Sequence, residues 1–281
     1  MRTPPAGQST RTVRNPVRHR GPVVRLVAAL VLVAVGLMVT PLRAASTAAQ
    51  RDEPLTIRGR EQVLHLYGSP GGEPVVIASG DGGWVHLAPH LAEFLAARGY
   101  FVVGVDSRAY LESFTSTSSS LAKSDVPGDF RVVLARAMGA ADRKPALIGV
   151  SEGAGLAVLA AGDPGVQHVI RGVLVVGLPD LNELAWRWRD DLIYVTHGVP
   201  NEPLFSAAAA IARVAPVPVA GIYASHDEFV PEADARRVAD SAGEPKRFWT
   251  VPAANHRFSD NLNELDTRLA DALAWMSGPG R

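Results

Sequence analysis

Pro145-Ala146-Leu147-Ile148-Gly149-Val150-Ser151-Glu152-Gly153 decides the fold. An apolar run of strand length leads into a serine with glycine two positions before and two positions after it, and Leu156 to Ala161 continue as a helix. This is a nucleophile-elbow pattern: a tight strand-to-helix turn that lifts the Ser151 hydroxyl off the end of a sheet. Small residues at 149 and 153 let strand and helix approach that closely.

Outward from the elbow, short apolar runs alternate with helical segments. Pro74–Ser79, Tyr100–Val105, Val173–Val176, Val217–Tyr223 and Arg247–Val251 read as strands. Val63–Tyr67 reads as an early edge strand, and residues 41–58 as a tether. Leu87–Arg98, Phe130–Met138, Glu232–Ser241 and Leu262–Met276 read as helices. The alternation predicts an α/β fold of the α/β-hydrolase kind, a mostly parallel sheet with helices on both faces. Such sheets place their chemistry at the carboxyl ends of the strands. Asp81, Asp106, Ser151, Asp180, Asp227 and His256 all follow strand ends. Two insertions fall on that side. Ser113–Ser120 reads as a solvated polar loop, and residues 181–205, with Trp186, Trp188 and Tyr194, as a small cap or substrate wall.

Serine needs a base, and the base needs a carboxylate to hold its tautomer. In the elbow architecture the chain order is serine, acid, histidine. Ser151, Asp227 and His256 stand in that order as the predicted catalytic set, with Asp180 the competing acid. Glu228 and His226 read as solvated neighbours of Asp227. An oxyanion would take the backbone amides of Glu152, directly after the nucleophile, and of Asp81 in Gly80-Asp81-Gly82-Gly83, with Gly82 second. No metal-ligand pair with a third partner is evident, and no cofactor is implied.

The 281 residues carry 28 Lys+Arg and 28 Asp+Glu, so net charge does not suggest nucleic acid as a partner. Cysteine is absent, which removes thiol catalysis and disulfides. The amino terminus differs from the rest. Arg2, Arg11, Arg14, Arg18, His19, Arg20 and Arg25 precede the uncharged run Leu26–Thr40, and small residues follow at 44–49. That is the layout of a secretory signal. The run reaches roughly 23 Å as a helix, against a hydrocarbon core of ~30 Å. It is read as a cleaved signal or, with snorkelling by Arg25 and Arg43, as an uncleaved anchor. Either reading places residues 1–50 as leader and tether and residues 51–281 as an extracytoplasmic domain, periplasmic or at the cell envelope.

Ser79-Gly80-Asp81-Gly82-Gly83-Trp84, Gly104-Val105-Asp106-Ser107, Gly149-x-Ser151-x-Gly153 and Asn255-His256-x-Phe258 together resemble the VirJ/AcvB virulence proteins over about residues 73–277. The resemblance implies an extracytoplasmic α/β-hydrolase that cleaves the aminoacyl ester of lysyl-phosphatidylglycerol at a membrane surface, with links to secretion-system or envelope proteins. It carries the triad onto Ser151, Asp227 and His256, and marks Gly82, Trp84 and Tyr110 as substrate-binding. Val150 and Glu152 stand where the family pattern has aromatic residues, and Arg257 where it has a second histidine. The readings of other classes are a generic carboxylesterase or lipase, and a non-catalytic envelope binding module.

Overall fold

The computed structural model describes residues 50–139, 143–187 and 203–278. The apolar leader, Trp188 and Tyr194 lie outside the described residues. Among the described residues no helix is long and apolar enough to cross a membrane.

The elements in chain order are β1 (Arg51–Ile57), β2 (Arg60–Tyr67), β3 (Glu73–Ala78), α1 (Leu87–Ala96), β4 (Tyr100–Val105), α2 (Ser107–Phe114) and α3 (Val126–Met138). Then come β5 (Ala146–Val150), α4 (Glu152–Ala161), α5 (Pro164–Gln167), β6 (Gly172–Val176), β7 (Leu181–Glu183), β8 (Leu204–Ser206) and α6 (Ala207–Ile211). The chain closes with β9 (Val219–Ala224), α7 (Glu232–Ser241), β10 (Lys246–Val251) and α8 (Leu262–Met276). One sheet has the order β1-β2-β4-β3-β5-β6-β9-β10. Its first two pairings are antiparallel and the rest are parallel. β7 and β8 form a separate antiparallel pair.

The central strands are buried on both faces, which is why β5, β6 and β9 carry near-continuous apolar runs instead of an alternating pattern. Successive residues serve opposite layers. Val75, Ile77 and Ile148 pack with α1 and α8, while Val76, Ala78 and Leu147 pack with α2, α3 and α4. The α/β-hydrolase architecture expected from the alternation is present.

Two local readings are corrected. Arg51–Ile57, taken as tether, is the edge strand β1, paired along its length with β2. Only Ile57 in it is buried, so it has no apolar period to announce it and is held by backbone pairing. Its Pro54 is tolerable there because an edge strand has one side without a ladder. Ser113 and Phe114, taken as loop, end α2, whose N-cap Asp106 accepts the Ala109 N–H at 2.9 Å.

The elbow packs as tightly as the glycines predict. A Cβ at Gly149 would lie 2.3 Å from Ala154 Cα, and one at Gly153 would lie 2.1 Å from the Ser79 carbonyl oxygen. Both obstacles are backbone, so the strand or the helix would have to move. Gly149→Ala is expected to lower stability by about 1–3 kcal/mol, the usual range for overpacking. A urea-unfolding shift below about 0.5 kcal/mol would contradict this packing.

Candidate active site

Ser151 occupies the turn between β5 and α4 with φ of 53°. Left-handed backbone at a non-glycine residue is costly and persists only where the surroundings enforce it. Here the Ser151 N–H donates to the Val176 carbonyl at 2.9 Å, and the Ser151 carbonyl accepts from Ala154 N at 2.9 Å. The turn is thus tied to β6 on one side and to α4 on the other. Glu152 is the first residue of α4, so its N–H has no intrahelical acceptor. The loop after β3 passes close by: a Cβ at Gly80 would stand 3.3 Å from Ser151 Cβ.

His256 lies in the loop between β10 and α8. Its ring Nδ1 is 2.7 Å from Asp227 Oδ2, and both side chains are nearly buried. The other Asp227 oxygen accepts the N–H groups of Phe229 and Val230, each at 2.9 Å, which fixes the carboxylate before it meets the ring. The ring also rests against Gly177, where a Cβ would come within 2.6 Å of Cε1, and against the edge of Phe229. Imidazole Nε2 is buried and makes no hydrogen bond among the described residues. With Nδ1 held by the carboxylate, Nε2 is the ring nitrogen left for another partner.

Ser151 and His256 line one cavity of about 370 Å³, a volume typical of small-molecule sites. Asp81, Glu152, Glu183 and Glu228 also line it, among apolar side chains that include Val85, Leu181, Trp186 and Phe229. Burial holds the Glu152 carboxyl well above the ordinary carboxylate range, and the neighbouring Glu183 and Asp81 push it the same way. Glu152 Oε1 accepts the Glu183 N–H at 2.6 Å. Burial likewise raises Asp81, opposed by His256 and by the N–H groups of Gly82 and Asp81 itself. Gly82 lines the cavity, as does the buried indole of Trp186 from the aromatic insertion. Among the described residues no cluster of three His, Asp or Glu is placed to hold a metal ion.

Several assignments change. Asp180, the competing acid, is engaged elsewhere. Its Oδ1 accepts from Ser206 Oγ and Ala208 N, and its Oδ2 from Arg237, at 2.8–3.1 Å. Partial burial works against its charge, but these donors outweigh it and lower its pKa.

Tyr110, marked as substrate-binding, is 1 % exposed in the core, where its hydroxyl donates to Asp129 at 2.6 Å. Trp84 does not line the cavity. Its indole stacks on His65 at 4.8 Å, its Nε1 donates to Tyr67, and the ring fills the space that a Gly104 side chain would take. Both aromatics support the sheet. Glu228 is exposed, as read, and it also accepts the His256 N–H at 2.8 Å. Glu183 and Gly177 were missed, because neither carries a local signal without knowledge of which loops meet.

A model of the bacterial virulence protein family VirJ matches residues 73–275. The chain belongs to the VirJ family. The match spans the elbow, the loop after β3, Asp227 and His256, so every residue of the site lies within the family's extent. Solved structures similar to this VirJ-family chain include the α/β hydrolase GrgF from a Penicillium species, at 13% identity and a TM-score of 0.61, covering 82% of this chain and 100% of that one. Est1E from Butyrivibrio proteoclasticus is 14% identical with a TM-score of 0.59, covering 80% and 98%. A membrane phospholipase A described as a bacterial virulence factor is 15% identical with a TM-score of 0.56, covering 90% and 98%. At such identities the likeness establishes the α/β-hydrolase fold. No curated protein matched the chain.

The raised Glu152 carboxyl has a thermodynamic signature. The native state keeps a proton that the unfolded chain releases near the ordinary value of about 4.5, so native stability falls as pH rises from there through the raised native value. Glu152→Gln keeps the acceptor for Glu183 N–H and removes the titration. Its stability relative to wild type is expected to grow by up to about 1.4 kcal/mol per pH unit across that window, as read by urea unfolding at pH 5 and pH 8. A difference independent of pH would mean that Glu152 is ionised in the native protein.

Proposed function

We propose that this VirJ-family protein is a serine hydrolase that cleaves an ester through an acyl-enzyme. One observation carries the reading: an imidazole with one nitrogen held by a buried carboxylate faces the same cavity as a serine on a strained turn. His256 Nε2 takes the Ser151 proton as Oγ attacks the ester carbonyl. The amides of Glu152 and Asp81 bind the developing oxyanion. His256 then returns the proton to the leaving alcohol, and water repeats the sequence on the acyl-enzyme. Asp227 orients the ring and stabilises the imidazolium. A protonated Glu152 suits this chemistry, since an anionic carboxylate beside its own amide would oppose the oxyanion.

The substrate class we favour is the aminoacyl ester of lysyl-phosphatidylglycerol, met at a membrane surface. In its support, Asp81, Glu152 and Glu183 face one cavity and disfavour one another's charge. An ammonium group among them relieves that repulsion, whereas a neutral acyl chain does not. The exposed apolar side chains Val85, Leu181 and Phe229 at the same cavity suit a lipid leaving group. Extracytoplasmic placement, by cleavage or anchoring of the leader, belongs to the same proposal, as do secretion-system or envelope partners. A generic carboxylesterase is the second reading, and the apolar rim favours it equally.

The mechanism is tested with a fluorophosphonate probe and a hydrolysis assay on aminoacylated and plain phosphatidylglycerol. Wild type should label and Ser151→Ala should not. Asp227→Asn is expected to lose on the order of 10⁴-fold in turnover, as a wrong tautomer would. Asp180→Asn should stay within about threefold while losing stability. Labelling of Ser151→Ala equal to wild type, or a large loss confined to Asp180→Asn, would reverse the assignment. Equal rates on the two lipids' ester bonds would sink the aminoacyl preference and leave the general esterase.

A further inference from the structure

We infer that Glu228 is a positioning residue for the base, the backbone counterpart of what Asp227 does to the ring; the inference rests on the proposed serine mechanism. Two carboxylates adjacent in sequence grip one histidine at two places. Asp227 Oδ2 meets the imidazole at Nδ1, and Glu228 Oε2 accepts the main-chain N–H of His256 at 2.8 Å. The ring contact sets the side-chain torsions. The main-chain contact sets where the Cα from which the ring hangs can sit.

The loops that carry these residues have few other ties at this point. The loop after β9 is stitched to the loop after β10 by His226 N to the Ala253 carbonyl at 3.1 Å and by Ser225 Oγ with Ala253 at 3.2–3.3 Å. Beyond Ala253, Asp227 and Glu228 both tie the first loop to His256, with Phe229 against the ring. Asp260 and Asn255 brace the histidine loop from its own side, through Ala254 N and through Arg257 N and Ser259 N. Those bonds shape the loop without joining it to β9. Glu228 is therefore the last main-chain stitch before the base.

The consequence is geometric. Without Glu228 the ring keeps its Asp227 partner, but the pair can drift together relative to Ser151. Misplacement by about 1 Å can cost on the order of 10²-fold in a reaction that depends on near-attack geometry. An acceptor oxygen is what the role requires, so glutamine should serve and alanine should not. Glu228 is exposed, so neither change disturbs the core.

The test uses the full-length chain as wild type, Glu228→Gln and Glu228→Ala, with three readouts. These are hydrogen–deuterium exchange of the His256 amide, the low-field proton resonance of its Nδ1–H, and the second-order rate of fluorophosphonate labelling at Ser151. In Glu228→Ala the amide should exchange at least tenfold faster and labelling slow at least tenfold, while the Nδ1–H resonance persists. Glu228→Gln should remain within about threefold of wild type in both. Unchanged exchange in Glu228→Ala overturns the inference, and so does a glutamine variant as impaired as alanine. A wild-type protein that the probe does not label overturns the serine mechanism instead, and amide exchange then still reports whether the clamp exists.

Discussion

The backbone of Gly153 lies against the carbonyl groups of Ala78 and Ser79, and the geometry of the whole site depends on that approach. It brings α4 down onto the end of β3, closer than any side chain would allow. Three consequences follow from this one contact. Ser151 is forced into left-handed backbone at the top of β5. The loop that leaves β3 runs beside the serine, with Gly80 facing Ser151 Cβ. The first amide of α4, that of Glu152, is left without an intrahelical acceptor. The elbow serine, a neighbouring glycine loop and a helix N-terminus are therefore assembled by strand–helix packing and not by side-chain recognition. Gly177 does the same for His256, whose ring occupies the place of its missing Cβ.

How much could be read in advance depends on whether the cause was local. The elbow was legible because glycines two positions before and two after Ser151 make a local pattern, even though the backbone that Gly153 approaches, at Ala78 and Ser79, is distant in the chain. Asp227 and His256 were legible because chain order and strand ends constrain a parallel sheet. What failed was partner choice. Tyr110 and Trp84 follow motif residues closely, yet their rings are claimed by Asp129 and by the space above Gly104. Nothing in the neighbouring residues marks that claim. The strand Arg51–Ile57 was missed for a related reason: its partner β2 supplies the ladder, while its own side chains remain mostly in solvent.

The two candidate acids show the same distinction in electrostatic form. Asp180 and Asp227 each follow a strand end, and each is well supplied with donors. Asp180 spends both oxygens, on Ser206, Ala208 and Arg237, and so ties the loop after β6 to α6 and α7. Asp227 spends one oxygen on two amides of its own turn and keeps the other for the imidazole. A carboxylate beside a guanidinium is already neutralised and has little to offer an imidazolium. Sequence position cannot separate the two, but the inventory of donors does.

Glu152 is where the demands on this site conflict. In the proposed mechanism its amide binds the oxyanion, while its carboxyl is buried beside two more acids. An ionised Glu152 would repel the oxyanion, and a permanently neutral one would contribute little to an ammonium ligand. Burial and the neighbouring acids weight the conflict toward the neutral form. With the cavity empty, desolvation and the neighbouring Glu183 and Asp81 favour the protonated form. A cation entering among these groups favours release of that proton, and its departure allows the proton to return. An alanine or an aromatic residue at this position would leave the nucleophile intact and remove that response.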